Sequence, residues 1–238
     1  MTKEKVGIEI AARYALQPNM LGFCGDDQCQ KVLRQFLAGV EGEETAREIL
    51  ENHGFPHLNS FVEAIGKLRG KDSYDPEVVR SYWLGGDLAM KSAEGRKYLV
   101  EAYEKNMGKP FADALNRVLP REIYLTHFSQ VALVAATDYG FNERLAVINK
   151  CMVGAGIVQK FGDGKVVVER DWLMKNDERF QMGTKRIVEI LDPDLVTTLE
   201  MGDFVAVHLG FVTQKISQYE MESIRYWNSL VVESGLIS

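Results

Sequence analysis

The residues of this 238-residue sequence whose chemistry reaches beyond a charged surface are three cysteines and four histidines. Cys24, in Leu21-Gly-Phe-Cys-Gly25, stands just ahead of a run with helical spacing. Backbone N–H groups at a helix N-terminus favour a thiolate, so the position suits a metal ligand or a nucleophile. A buried cysteine packing a tight Leu-Gly turn accounts for the same residues, and the sequence leaves both readings open. Cys29 falls on the apolar stripe of that helix and reads as core. The pair is no zinc motif, because structural zinc sites use closer cysteine pairs, two at a time. His53, His57 and His127 have no carboxylate or cysteine at ligand spacing and read as helix-end or packing residues. Cys151 and His208 lie far apart in the sequence, and their spacing alone pairs neither with a ligand partner.

Other chemistries lack their signatures. Gly154-x-Gly156 and Gly162-x-Gly164 neither follow a strand nor open a helix, as a phosphate loop requires. No nucleophile-elbow pattern supports a Ser/His/Asp triad. The formal charge is −6 and no Lys/Arg block exceeds a pair, so the basic footprint of a nucleic-acid binder is missing. The N-terminus lacks the apolar stretch of a signal peptide, and no run is apolar enough to span a bilayer, which makes the cytoplasm the expected location. An odd number of cysteines in so long a chain does not describe a secreted disulfide framework. With 46% hydrophobic and 26% charged residues, the chain has the material for a packed core.

Apolar residues recurring at three and four predict the elements that must hold these side chains. A helix is expected over residues 6–16, ended by Pro18 because the residue before a proline avoids the α region. Asp26 or Asp27 caps a second helix with Cys29, Val32, Leu33, Phe36, Leu37 and Val40 on one stripe. Further helices follow through Leu50, from Pro56 to a stop at Gly70, and over residues 76–84, 95–106 and 110–119. The stretch 124–134 fits a strand at its start and a buried helix at its end. After Arg144 the texture turns to Val, Ile and Gly. Phe161-Gly-Asp-Gly-Lys165 is a hairpin turn, and short strands are expected at 172–175, 180–182, 185–190 and 202–211, with a bend at Gly210. Ser217 and Glu220 form a capping box opening a final helix to residue 232. The expected architecture is α+β: a helical domain over residues 1–145, then a small β-barrel with a C-terminal helix over 146–238.

Two segments carry a resemblance. Glu200-Met-Gly-Asp-Phe-Val-Ala-Val-His-Leu-Gly-Phe-Val-Thr-Gln-Lys-Ile-Ser217, followed by a helix, resembles the end of the HypC-type chaperones of nickel–iron hydrogenase maturation. Cys151-Met-Val-Gly-Ala-Gly-Ile-Val158 is similar to the start of those chaperones, whose cysteine binds the iron precursor under construction. Here that cysteine is internal, and Ala155 stands where the family has a proline. Arg13-Tyr-Ala-Leu-Gln-Pro-Asn-Met-Leu-Gly-Phe-Cys-Gly25 resembles the opening of an uncharacterised prokaryotic family with a PN-x-LGYCG signature, whose members also end in a chaperone-like barrel.

The resemblance implies a HypC-like barrel in which Cys151 and His208 face each other, and a partner surface around Phe204, Gly210 and Phe211. It implies an accessory protein for hydrogenase metallocentre assembly, with Cys151, His208 and Cys24 as candidate metal ligands. The cargo would be iron, or an iron precursor carrying CO and cyanide. The partner would be a hydrogenase maturation protein or the hydrogenase large subunit. Two other readings stand beside it: a metal-free interaction module, and a thiol-dependent enzyme using Cys24, for which the sequence locates no base.

Overall fold

The computed structural model describes residues 3–138, 141–176 and 179–237. The chain is a mixed α+β protein of two compact units, Met1–Gln130 and Val131–Ser238. No helix among the described residues is long and apolar enough to cross a membrane.

The first unit is helical: α1 (Lys3–Met20), α2 (Asp27–Leu37), α3 (Glu43–Asn52), α4 (Pro56–Arg69), α5 (Pro76–Leu84), a 3-10 turn at Asp87–Ala89, α6 (Ala93–Met107), α7 (Lys109–Val118) and the start of α8 (His127–Asp138). The ambiguous stretch 124–134 is thus helical from His127. In α2 the Asp26 carboxylate caps the Cys29 N–H, and Cys29, Val32, Leu33 and Phe36 bury one stripe. A cap of this kind contributes roughly 1 kcal/mol. Val40, expected on the stripe, lies beyond the helix and is 75% exposed, because Gly39 turns the chain at φ 75°. Pro56 starts α4 and left-handed Gly70 stops it, as the spacing predicts.

Pro18 does not end α1, which runs on to Met20. A proline costs the ladder one N–H and crowds the preceding turn, but in the last turn of a helix few bonds depend on it. The carbonyl of Pro18 instead accepts the N–H of Phe23 at 2.8 Å, and Gln17 accepts that of Leu21 at 3.1 Å.

The second unit contains α9 (Phe141–Cys151), β1 (Gly154–Gly162), β2 (Lys165–Asn176), β3 (Arg179–Ile190), β4 (Phe204–His208), β5 (Phe211–Lys215) and α10 (Gln218–Glu233). The five strands follow the order β1-β2-β3-β5-β4, and β4 pairs back antiparallel with β1, so the sheet closes on itself. One parallel bridge, Ile190 to Phe211, joins β3 to β5. Helix α10 opens on the expected Ser217–Glu220 capping box and buries Met221, Ile224, Trp227 and Val231 against β1, β3 and β4.

Two expectations fail here. The short strands at 172–175, 180–182 and 185–190 belong to two strands of 12 residues each, β2 and β3, paired along their whole length. Gly183, in the gap left between the expected strands, sits inside β3, where the Met174 side chain lies over it and fills the space of a Cβ. The β texture expected after Arg144 also begins later, because α9 runs on to Cys151 and the first strand starts at Gly154.

The interior of this unit holds an ion pair. Arg170 and Glu189, each 1% exposed, meet at 3.1 Å across β2 and β3. A second guanidinium nitrogen of Arg170 donates at 3.4 Å to the carbonyls of Asn149 and Met152, at the end of α9. Gly154 and Gly156 make room for it: a Cβ on Gly154 would lie 2.7 Å from the guanidinium, and one on Gly156 would be 2.4 Å from Val168. Breaking a buried pair by removing one ion strands the other and costs about 3–5 kcal/mol, whereas replacing both with apolar groups is often neutral. Arg170→Met is therefore expected to lose about 3–5 kcal/mol in urea denaturation, and Arg170→Met with Glu189→Leu to recover most of that loss. Equal losses in the single and double variants would mean that the cation acts mainly through the α9 carbonyls.

Candidate functional site

In the first unit the candidate chemistry lies in the loop from α1 to α2. The Asn19 amide donates to the carbonyls of Cys24 at 3.1 Å and Asp26 at 2.7 Å, stapling the loop shut. Gly25, at φ 76°, donates its N–H to the Gly54 carbonyl at 3.0 Å. A Cβ on Gly54 would stand 3.0 Å from the Gly25 backbone, so only two glycines let these loops touch. Pro18, Asn19 and Gly25 of the PN-x-LG-x-CG pattern thus build the loop, and the Cys24 side chain is what the loop presents.

Cys24 is half-buried and lines a cavity of about 40 Å³ with His57, Tyr82, Trp83, His127 and Gln130. The Tyr82 hydroxyl donates to Gln130 Oε1, and His57 Nδ1 is 2.9 Å from the Tyr103 hydroxyl. The His127 ring packs 4.4 Å from that of Trp83. Such a space admits a water or two but no organic substrate. Burial raises the Cys24 pKa above that of an ordinary thiol, so the neutral thiol dominates near neutral pH. Sequence spacing carried no sign of the two imidazoles, because helix packing alone brings α4 and α8 to this loop.

Cys29 is fully buried, as expected, and also completes the cap. Its sulfur lies 3.2 Å from Asp26 Oδ1 and 3.1 Å from the His53 carbonyl, two acceptors for its single proton. It also accepts the Asp26 N–H at 3.3 Å. His53 Nδ1 stands 3.2 Å from Asp26 Oδ2, a carboxylate contact that sequence spacing did not reveal. Hydrogen bonds from Cys29, then from His53, lower the Asp26 pKa, while burial pushes the Cys29 thiol up to about 11. Asp27 is the first residue of α2, and Asp26 is its cap.

In the second unit β4 and β5 form a hairpin whose turn residues, Leu209 and Gly210, have φ 52° and 87°. The N–H of Leu209 donates at 2.9 Å to the carbonyl of Lys150. Cys151 and His208 each adjoin one end of that bond, so the backbones that carry them meet at one end of the sheet. His208 is 1% exposed and Cys151 half-buried. Phe211 is 6% exposed, while Phe204 and Gly210 are half-buried. The Gly-Asp of the motif shapes the entry to β4, where Asp203 accepts Lys215 at 2.7 Å and the Glu200 N–H at 2.7 Å. Among the described residues no three His, Cys, Asp or Glu side chains converge as a ready-made metal site.

The raised thiols make a pH prediction. A thiol whose folded pKa exceeds its unfolded value of 9.0 keeps its proton in the folded state after the unfolded state has lost it. Its stabilisation is therefore full below pH 9 and is lost as pH rises toward 11. Thermal melting should fall across that window, and the fall should shrink in Cys29→Ala. In native protein at pH 8, iodoacetamide should modify Cys29 far more slowly than in urea; equal rates would contradict the burial argument.

No curated protein and no solved structure matches the chain. Residues 3–234 match the family of unknown function DUF6390, and the chain belongs to that family.

Proposed function

We propose that this chain is an accessory protein of hydrogenase metallocentre assembly. Its second unit docks a maturation protein or the hydrogenase large subunit and presents Cys151 to an iron precursor. The observation that carries this reading is the junction of the Leu209 N–H with the Lys150 carbonyl, which brings Cys151 and His208 to one end of a closed sheet. The sequence likeness to HypC-type chaperones and the terminal helix support the same reading. The chemistry is ligand exchange. The Cys151 thiol gives up its proton to solvent or a nearby imidazole as its sulfur bonds iron, no oxidation state changes, and the step reverses on delivery. With His208 buried, its imidazole serves to position the thiol, and Cys151 is the donor to the metal.

The test is iron analysis of protein purified without oxygen after co-expression with the hydrogenase maturation proteins, with infrared spectroscopy for iron-bound CO and cyanide. Iron is expected in the wild type and absent from Cys151→Ser. No iron in either protein would remove the carrier role and leave a metal-free interaction module, in which Cys151→Ser binds its partner normally.

The two imidazoles that line the cavity beside Cys24 favour a second reading, thiol chemistry in the first unit with His57 or His127 as base and a reagent that reaches the sulfur from its solvent-exposed side. If either imidazole serves, His57→Gln or His127→Gln should slow alkylation of Cys24 about tenfold and alter its pH profile. Unchanged profiles in both variants would leave Cys24 as a packing residue.

A further inference from the structure

Among the described residues, the longest stretch of sheet left without a strand beside it is the outer edge of β3. Hydrogen bonds at two independent positions fix which groups face that edge. On β2, the Leu173 N–H donates to Asn149 Oδ1 at 2.7 Å and its carbonyl accepts Asn149 Nδ2 at 2.9 Å. Leu173 therefore points its backbone away from β3, and its partner Met182 points away from β2. On β3, the Ile190 N–H donates outward to the Gly210 carbonyl at 2.8 Å. Both positions assign the even-numbered residues of β3 to the outer edge. Ile190 is the one that meets β5, so no strand among the described residues pairs with Met182, Thr184, Arg186 and Val188 on that side.

This edge is open to solvent. Thr184, Lys185 and Arg186 are exposed in succession, which leaves both faces of the strand uncovered there, and Val188 is 60% exposed. The other edge of the same ribbon is treated differently: the Asn149 amide occupies the outward groups of Leu173 in place of a strand. Along residues 179–188 stand three cations, Arg179, Lys185 and Arg186, and no carboxylate. Arg186 bonds Glu169 at 3.0 Å, and the Lys185 ammonium lies 5.1 Å from the centre of the Trp172 ring. A second copy of this chain would bring the same three cations against this edge, and like charges facing across a ladder are destabilising.

From this arrangement we infer that the β3 edge receives an extended acidic segment of a partner protein, added as a sixth strand. Main-chain bonds to Met182, Thr184, Arg186 and Val188 supply the affinity, and Lys185 and Arg186 select carboxylates. The site uses neither Cys151 nor a metal. It deepens the partner-docking part of the proposed function, and its test reads no iron.

The experiment adds a capped peptide alternating Glu and Val to the full-length protein and follows amide hydrogen exchange by NMR, with a Lys-Val peptide as control. The acidic peptide is expected to protect the amides of Met182, Thr184, Arg186 and Val188, less so as salt rises, and the basic peptide to leave them unchanged. Thr184→Pro is the decisive variant. Its missing N–H faces outward, so the β2–β3 ladder survives while an added strand is blocked. It should weaken the peptide at least about tenfold with the circular dichroism spectrum retained. Lys185→Glu with Arg186→Glu should do the same without touching the backbone. Equal binding of the two peptides, protection elsewhere, no binding, or the same protection in peptide-free protein at high concentration would overturn the proposal, the last by assigning the edge to a second copy.

Discussion

The second unit depends on one buried cation. Taking a guanidinium out of water costs several kcal/mol, so Arg170 is tolerated only where every surrounding element supplies something to it. Glu189 gives a carboxylate from β3, Asn149 and Met152 give carbonyls at the end of α9, and Gly154 and Gly156 give space on β1. Its Nε finds no hydrogen-bond acceptor among the described residues, which makes the remaining partners more consequential. The cost is visible on the other side of the pair, where burial raises the Glu189 pKa in spite of the adjacent arginine. Asp171 is raised by burial in the same way and is held by Arg225 at 2.8 Å and by the Ala155 N–H at 3.1 Å.

That cation also sets the position of the candidate metal-carrying thiol. A helix ends with unsatisfied carbonyls, and a positive charge there is favourable. Arg170 takes the carbonyl of Asn149 and the turn of the β4–β5 hairpin takes that of Lys150. Cys151 follows directly, at a helix end held from two sides. The Gly-rich segment after it, which resembles a phosphate loop only superficially, exists to let β1 pass over the guanidinium.

The first unit uses its motif differently. Asn19 and the Gly25–Gly54 contact hold a loop that ends in a capped helix, and Asp26 ties that cap to His53. Cys29, the N3 residue, fills with a thiol the place a glutamate or glutamine commonly takes in such a cap. A thiol suits the position because it is small, buried and a weak donor, and the neighbouring carboxylate favours its neutral form.

Much of the architecture was legible in the sequence because it rests on local rules. The helix of residues 76–84, the Pro56 start and Gly70 stop of α4, and the Ser217–Glu220 capping box each depend on a few neighbouring residues and appear as expected. The departures have separate physical causes: Pro18 falls in the last turn of α1, where few helix bonds depend on its N–H, whereas β3 runs through Gly183 with Met174 of the paired strand lying over it. Which candidate residues meet was never a local matter. His57 and His127 join Cys24, and His53 joins Asp26, through helix packing; the backbones beside Cys151 and His208 meet through one hydrogen bond, Leu209 to Lys150, between segments far apart in the chain. Residue types and spacing by themselves determined which side chains could carry chemistry and which elements bear them. Only the tertiary structure decided their neighbours, because burial and long-range pairing, not spacing along the chain, set the distance between two side chains and the environment in which they ionise.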